Sequence, residues 1–214
     1  MESHGVGRDV DISKKKKKKV EREGDGGDTA GDAWIYGSIK RKTYFFVAFA
    51  VGKWTQETCR RMVEQIPGRF VPLSEAGEKA IFYSDGNDDY TYVLPCFFPV
   101  EKLEYGQLIK IKKHGRVVGK IKRQVYGTQS EDDIETTDIE NFGGILRERL
   151  GRLVRKTKCH SKLKTRLEDA LELFQFHWNF MDSLQGKNTP AMLEGLTEDV
   201  FSWHQFFYFP INYP

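Results

Sequence analysis

Thr43 to Val51 reads T-Y-F-F-V-A-F-A-V. It is rich in β-branched and aromatic residues and apolar at odd and even positions alike, which describes a strand buried on both faces. Such a strand belongs in the interior of a covered sheet, and hence to the α/β class. Gly52 ends it, and Thr55 to Ile66 then places Cys59, Met62, Val63 and Ile66 at helical spacing behind Thr55 as N-cap. Pro67-Gly68 stops that helix. On the N-terminal side, Trp34 to Lys40 is a second strand, joined to the first through Arg41-Lys42.

Further along, Ala80 to Ser84 (A-I-F-Y-S) is a short strand that delivers Asp85 and Gly86 at its C-terminal end. Open α/β sheets bind ligands at such ends, which makes Asp85 a candidate site residue; a D-G pair is also ordinary turn chemistry. Leu108 to Lys113 and Arg116 to Gln124 read as strands around His114-Gly115, alternating basic with apolar residues. One basic face there suits a nucleic-acid wall or a solvated surface equally.

The segment Ile139 to Lys162 carries the strongest chemical signal. Between Asn141 and Arg166 stand nine Lys or Arg against Glu148 alone, a net charge of +8, whereas every charged residue from Glu131 to Glu140 is acidic. Carboxylates that bind divalent cations beside cations that grip phosphates suit phosphoryl transfer on a nucleic acid. A long helix is expected from Thr137. Leu146, Leu150, Leu153 and Val154 would form its buried stripe, with Glu140, Gly144, Arg147 and Gly151 on another side. Glycines on that side allow close approach of another backbone, or mark local irregularity. Glu140 also fits a capping box, Thr137-x-x-Glu140. A last amphipathic helix, Leu163 to Asp182, aligns Leu167, Leu171, Phe174, Trp178 and Met181 as core.

Bulk properties bound the rest. An apolar content of 39% in 214 residues suffices for one globular core. Residues 1–31, with the run Lys14 to Lys19, read as a charged, disordered leader containing a weak first strand near 8–13, and 183–214 as an aromatic, proline-containing extension. The net charge of +3 conceals basic blocks at Lys14 to Lys19, Lys110 to Arg123 and Arg147 to Arg166. No run of eighteen apolar residues exists, and a soluble, cytoplasmic protein with no membrane partner is expected. Cys59, Cys96 and Cys159, odd in number and far apart, suggest small buried side chains rather than a disulfide framework. No P-loop, G-x-G-x-x-G motif or internal repeat appears.

These residues resemble the catalytic part of the small family-one insertion-sequence transposases, the InsB-like DDE enzymes. That family's Glu, then L-R-x-R, then R-L-x-R-K-T-x-C-x-S-K reads here as Glu140, Leu146-Arg147, Arg149, then Arg152-Leu153-Val154-Arg155-Lys156-Thr157, Cys159 and Ser161-Lys162. Its strand ending Y-x-D-G is matched by Tyr83-Ser84-Asp85-Gly86, and its G-x-x-T-x-E-T helix start by Gly52 to Thr58. The likeness extends from about Trp34 to Met181.

The resemblance implies a ribonuclease H-like fold over 32–182, a mixed sheet flanked by helices, with acids on the first strand, at the end of a later strand and on a following helix. It implies catalytic and metal-ligating roles for Asp9, Asp85 and Glu140, two Mg2+ or Mn2+ ions, and DNA strand cleavage with 3′-hydroxyl strand transfer. Arg147, Arg149, Arg152, Arg155, Lys156 and Lys162 would hold DNA, with the protein a homo-oligomer on it, in the nucleoid. The first acid departs from the family's D-E-x-x-[ST]. Asp9 aligns best, four residues before Ser13, with Val10 in place of Glu; Asp11 and Asp32 are the other candidates. Gly143 and His160 stand where relatives commonly carry Asn and an aromatic ring. The family's zinc-binding and helix-turn-helix region has no counterpart, so an N-terminally truncated or altered relative is expected. Two rivals stay open: an inactive DNA-binding remnant, and a structure-selective nuclease.

Overall fold

The computed structural model describes residues 33–69, 78–114, 116–154, 161, 163–184 and 186–208, together with the backbone of a strand at Arg8–Lys16. The architecture is mixed α/β, a mixed sheet with helices on both faces. Its six strands are β1 (Arg8–Lys16), β2 (Trp34–Lys40), β3 (Phe46–Gly52), β4 (Ala80–Asp85), β5 (Leu103–Lys113) and β6 (Arg116–Tyr126), in the order β3-β2-β1-β4-β5-β6. β1 runs antiparallel to β2, as β2 does to β3, but parallel to β4, which is parallel to β5; β6 returns antiparallel. The first strand therefore exceeds the expected 8–13 and is central in the sheet. Backbone pairing on both sides holds it there despite a barely apolar sequence.

The described residues also form six α-helices: α1 (Gln56–Val63), α2 (Asp89–Val93), α3 (Thr137–Arg149), α4 (Lys164–Phe180), α5 (Pro190–Leu193) and α6 (Trp203–Phe207). One face of the sheet buries Tyr36, Phe82 and Tyr105 against Cys59, Met62 and Val63 of α1 and Tyr90 and Val93 of α2. The other buries Ile35, Ile39 and Phe49 against Ile139, Phe142 and Leu146 of α3 and Leu167, Leu171, Phe174 and Trp178 of α4. Thr55 caps α1 as expected, its side chain accepting from the Thr58 amide.

The apolar run at 43–51 corrects one expectation: β3 is an edge strand, not an interior one. Both its faces are apolar because helices cover both. Its backbone is closed by side chains instead of a further strand. Gln65 donates to the Phe49 carbonyl at 2.8 Å, Gln175 to Phe46 and Val47 at 2.9 and 3.1 Å, and Arg69 to Val47. Asn179 both donates to the Phe46 carbonyl (2.9 Å) and accepts from its amide (2.8 Å). Polar groups on an edge that would otherwise template foreign pairing are thereby satisfied.

The helix from Thr137 is shorter than expected. It ends at Arg149, and Gly151–Leu153 forms a 3-10 turn, so Leu150 and Leu153 are only partly buried and Val154 is 43% exposed. Among the described residues a Cβ at Gly144 or Gly151 would meet nothing within 4 Å, so neither glycine serves a close approach of their backbone. Cys59 is buried as expected, whereas Cys96 is exposed on the 3-10 turn Leu94–Cys96; Cys159 and His160 lie outside the described residues.

Candidate active site

Asp85 terminates β4, where its backbone carbonyl accepts from the Ser84 hydroxyl and the Asn87 amide, both at 2.7 Å. Ser84, wholly buried, also hydrogen-bonds the Tyr105 hydroxyl at 2.7 Å. Gln107, equally buried, donates to the Asn87 carbonyl (3.2 Å) and accepts from Arg123 Nε (3.0 Å), while Arg123 reaches Asp88 at 2.7 Å. The turn that presents Asp85 is thus held from beneath by fully buried polar groups, and such a satisfied network rigidifies it. Asp85 Oδ1 is closed to solvent. Burial is the main reason the Tyr90 and Tyr105 phenols are raised above their ordinary range, and the Asp85 charge adds to both.

Glu140 lies in the first turns of α3. Thr136, not Thr137, is the N-cap, and its side chain caps no backbone amide; its Oγ1 donates to Glu140 Oε1 at 2.8 Å. The capping-box alternative for Glu140 therefore does not hold. Lys110 of β5 ion-pairs with the same oxygen. Burial alone would raise the Glu140 carboxyl. The hydrogen bonds from Lys110 and Thr136, with the charges of Lys110 and Lys120, outweigh it and hold the group below the ordinary glutamate range. The other acid of that turn, Asp138, is engaged elsewhere, accepting from the Tyr44 hydroxyl at 2.8 Å with Arg41 at 4.0 Å.

Strand alternation brings Asp85 and Glu140 to one face. Asp85 pairs in register with Leu108, and Lys110 follows two residues on, so all three share a side of the sheet. Leu108 packs there against Tyr83 and Ile134, and Ile134 belongs to the strap 131–136 that leads into α3. Gly106 lets that strap cross, since a Cβ on it would come within 2.7 Å of Ile134 Cγ1. Arg41 ties the strap down by donating to the Asp133 carbonyl at 3.0 Å while lying 4.7 Å over the Tyr83 ring. Phe142, two residues past Glu140 and 1% exposed, anchors the helix at 4.9 Å from Phe46 and 5.3 Å from Trp178.

The first-strand candidates are placed by backbone alone. Asp9 is level with Ile81 and Asp11 with Tyr83, four and two residues before the level of Asp85, or roughly 13 and 7 Å along the strand. Asp32, Arg155, Lys156 and Lys162 lie outside the described residues. Among those described, Arg147 is partly buried two helical turns from Glu140, on the same side. Arg149 pairs with Asp182 at 3.0 Å, and Arg152 donates to the Arg166 carbonyl (3.0 Å) and the Ser161 hydroxyl (3.3 Å), so both also brace the C-terminal segment. Lys110 and Thr136, the immediate partners of Glu140, were not singled out from sequence; only the basic alternation of the hairpin hinted at Lys110.

No family model and no curated protein matches the chain. Among solved structures it is similar to the crystal structure of the N. crassa QDE-2 AGO MID-PIWI domains, at 11% identity and a TM-score of 0.30, over 80% of this chain and 52% of that one. This chain thus spans about half the length of that neighbour, and a likeness so distant assigns no activity. Among the described residues no three His, Cys, Asp or Glu side chains cluster as a metal site, and no helix is long and apolar enough to cross a membrane.

Proposed function

We propose that this chain is a ribonuclease H-like polynucleotidyl transferase, a DDE transposase that cuts DNA strands and joins a freed 3′-hydroxyl to target DNA. The observation that carries the reading is that Asp85, ending β4, and Glu140, opening α3, share one face of the sheet beside the same segment of β5. The strand order, three antiparallel strands followed by two parallel to the first, supports the fold that the transposase resemblance implies.

The residues suit a hard divalent cation. Glu140 is held ionised, Asp85 directs one oxygen into a closed environment, and carboxylate oxygens are the donors Mg2+ and Mn2+ prefer. Asp85, Glu140 and a first-strand acid would hold the metals, Asp9 by resemblance and Asp11 by register. Bound there, two such ions would supply activation of the attacking hydroxyl and stabilisation of the leaving oxygen in an in-line displacement. The chain's own contribution is to position. The buried network under Asp85 fixes one carboxylate, Thr136 and Phe142 orient the other, and Arg147 with Lys110 and Lys120 offers cations to the phosphates on either side. The electrostatic arrangement is acids at the reacting phosphate and cations along its neighbours.

An inactive DNA-binding remnant is the second reading, favoured by the Lys110–Glu140 ion pair, which neutralises a carboxylate the metals need. A joining assay separates the readings. The chain, Mn2+, a labelled duplex with a free 3′-hydroxyl and a supercoiled plasmid are incubated together. Label joined to plasmid supports a transposase, nicks without joining point to a nuclease, and binding without either supports the remnant.

A further inference from the structure

Past Leu108, which pairs with the end of β4, strand β5 pairs among the described residues with β6 alone, so the hairpin continues there as a two-stranded ribbon. From Tyr105 to Ser130 the sequence contains seven Lys or Arg and no Asp or Glu. Alternation sorts these cations. Lys110 and Lys112 share the side of Leu108; Lys120 stands directly opposite Lys110, and Lys122 opposite Leu108. Three contacts fix this as the side on which α3 lies: Leu108 packs on Ile134, Lys122 donates to the Asp132 carbonyl at 3.0 Å, and Lys110 pairs with Glu140.

Like charges directly opposite each other weaken a strand pair. Lys110 against Lys120, flanked by Lys112 and Lys122, is a ladder of four cations that repel one another, with Glu140 as the carboxylate that meets it. Lys112 and Lys120 are exposed. A row of cations repeating every second residue, about 6.7 Å apart along a strand, fits a linear polyanion better than a compact one. The row also ends beside Asp85 and Glu140, where a reacting phosphodiester would lie.

We infer that this lysine face of the β5–β6 ribbon is a track for the phosphate backbone of duplex DNA, leading it to the carboxylate pair. The inference rests on the transposase reading for what happens at the end of the track, but the track itself stands on the hairpin's charge and register. A two-stranded ribbon is also of a size that a DNA major groove, about 12 Å wide, admits.

The test is fluorescence anisotropy of a labelled mixed-sequence duplex titrated with the full chain over a series of KCl concentrations. The double variant Lys112→Gln/Lys120→Gln is compared with Lys53→Gln/Lys187→Gln, which removes the same charge elsewhere. Loss of two phosphate contacts is expected to weaken binding about tenfold or more near physiological salt, and to make the slope of log affinity against log salt shallower by about 2. The charge-matched control should stay near the native chain. Equal weakening in both variants, or unchanged binding in the hairpin variant, would overturn the track. Tighter hairpin-dependent binding to vesicles containing phosphatidylserine than to DNA would overturn it as well. Metal-dependent nicking separates this from the active-site reading: hairpin-dependent binding without nicking sinks the catalytic assignment and leaves the track, and nicking with hairpin-independent binding does the reverse.

Discussion

Lys110 on β5 and Glu140 on α3, 30 residues apart in sequence, form an ion pair on the same carboxylate oxygen that accepts from Thr136. A carboxyl group depressed in the folded state contributes stability above its ordinary value, and that contribution is lost as pH falls through the lowered value. Lys110→Gln should therefore move the Glu140 carboxyl upward in a 13C NMR titration, towards the ordinary glutamate value of 4.5. The stability difference between native and variant chains should be present at neutral pH and vanish in acid. With the Lys110 and Glu140 side chains 28% and 46% exposed, it should not exceed about 1 kcal/mol. A Glu140 titration indifferent to Lys110 would break the link.

Gly106 is required by the strap above it. An added Cβ would lie 2.7 Å from Ile134 Cγ1 and 2.8 Å from Gln129 Nε2, too close for the strap to remain in place. Gly106→Ala is expected to cost roughly 1–3 kcal/mol in chemical denaturation. It should also slow metal-dependent DNA cleavage at least about tenfold, because displacing the strap moves Thr136 and Glu140. Gly106→Ala/Ile134→Ala, which removes both clashing atoms of that side chain, Cγ1 and Cδ1, should recover part of the lost cleavage.

Asn179, 3% exposed, makes both hydrogen bonds to the backbone of Phe46 at the sheet edge. Asn179→Ala removes the side-chain acceptor of the Phe46 amide, while the Phe46 carbonyl keeps the Gln175 donor, and the expected cost is about 1–3 kcal/mol. Urea denaturation measures it. DNA affinity should be unchanged, because the edge of β3 lies at the far end of the sheet from the β5–β6 ribbon.

How far the sequence could be read follows from which forces were local. β2 matches its expected span, α1 matches its apolar stripe, and α4 matches all of its stripe but Met181, which caps the helix and is only partly buried, because spacing alone decides which side of such elements is buried. The same logic misplaced β3: burial on both faces is a property of the helices that cover it, not of a strand on either side. α3 was overextended because Leu150, Leu153 and Val154 continue a helical pattern that the backbone leaves at Leu150. β5 begins at Leu103, five residues before its expected start, since Glu104, Tyr105 and Gly106 lack the basic and apolar alternation that marked the rest. Asp85 could be found from a strand ending in D-G. The Lys110–Glu140 contact could not, because it joins two elements through tertiary packing.

The two first-strand acids are separable by experiment. By register Asp11 stands nearer the level of Asp85 than Asp9 does. Asp11→Asn is therefore expected to abolish metal-dependent cleavage, and Asp9→Asn to reduce it less than about tenfold. The opposite ranking would mean that β1 pairs with β4 in a different register when DNA is bound, and would restore the assignment that the family pattern suggests.

The most direct measurement is nicking of supercoiled plasmid in Mn2+ by the native chain, Asp85→Asn and Glu140→Gln, at one salt concentration, with DNA binding followed in parallel. Nicking by the native chain, abolished in both variants while binding persists, is the expected result. Nicking that survives both substitutions would contradict a carboxylate site built from Asp85 and Glu140.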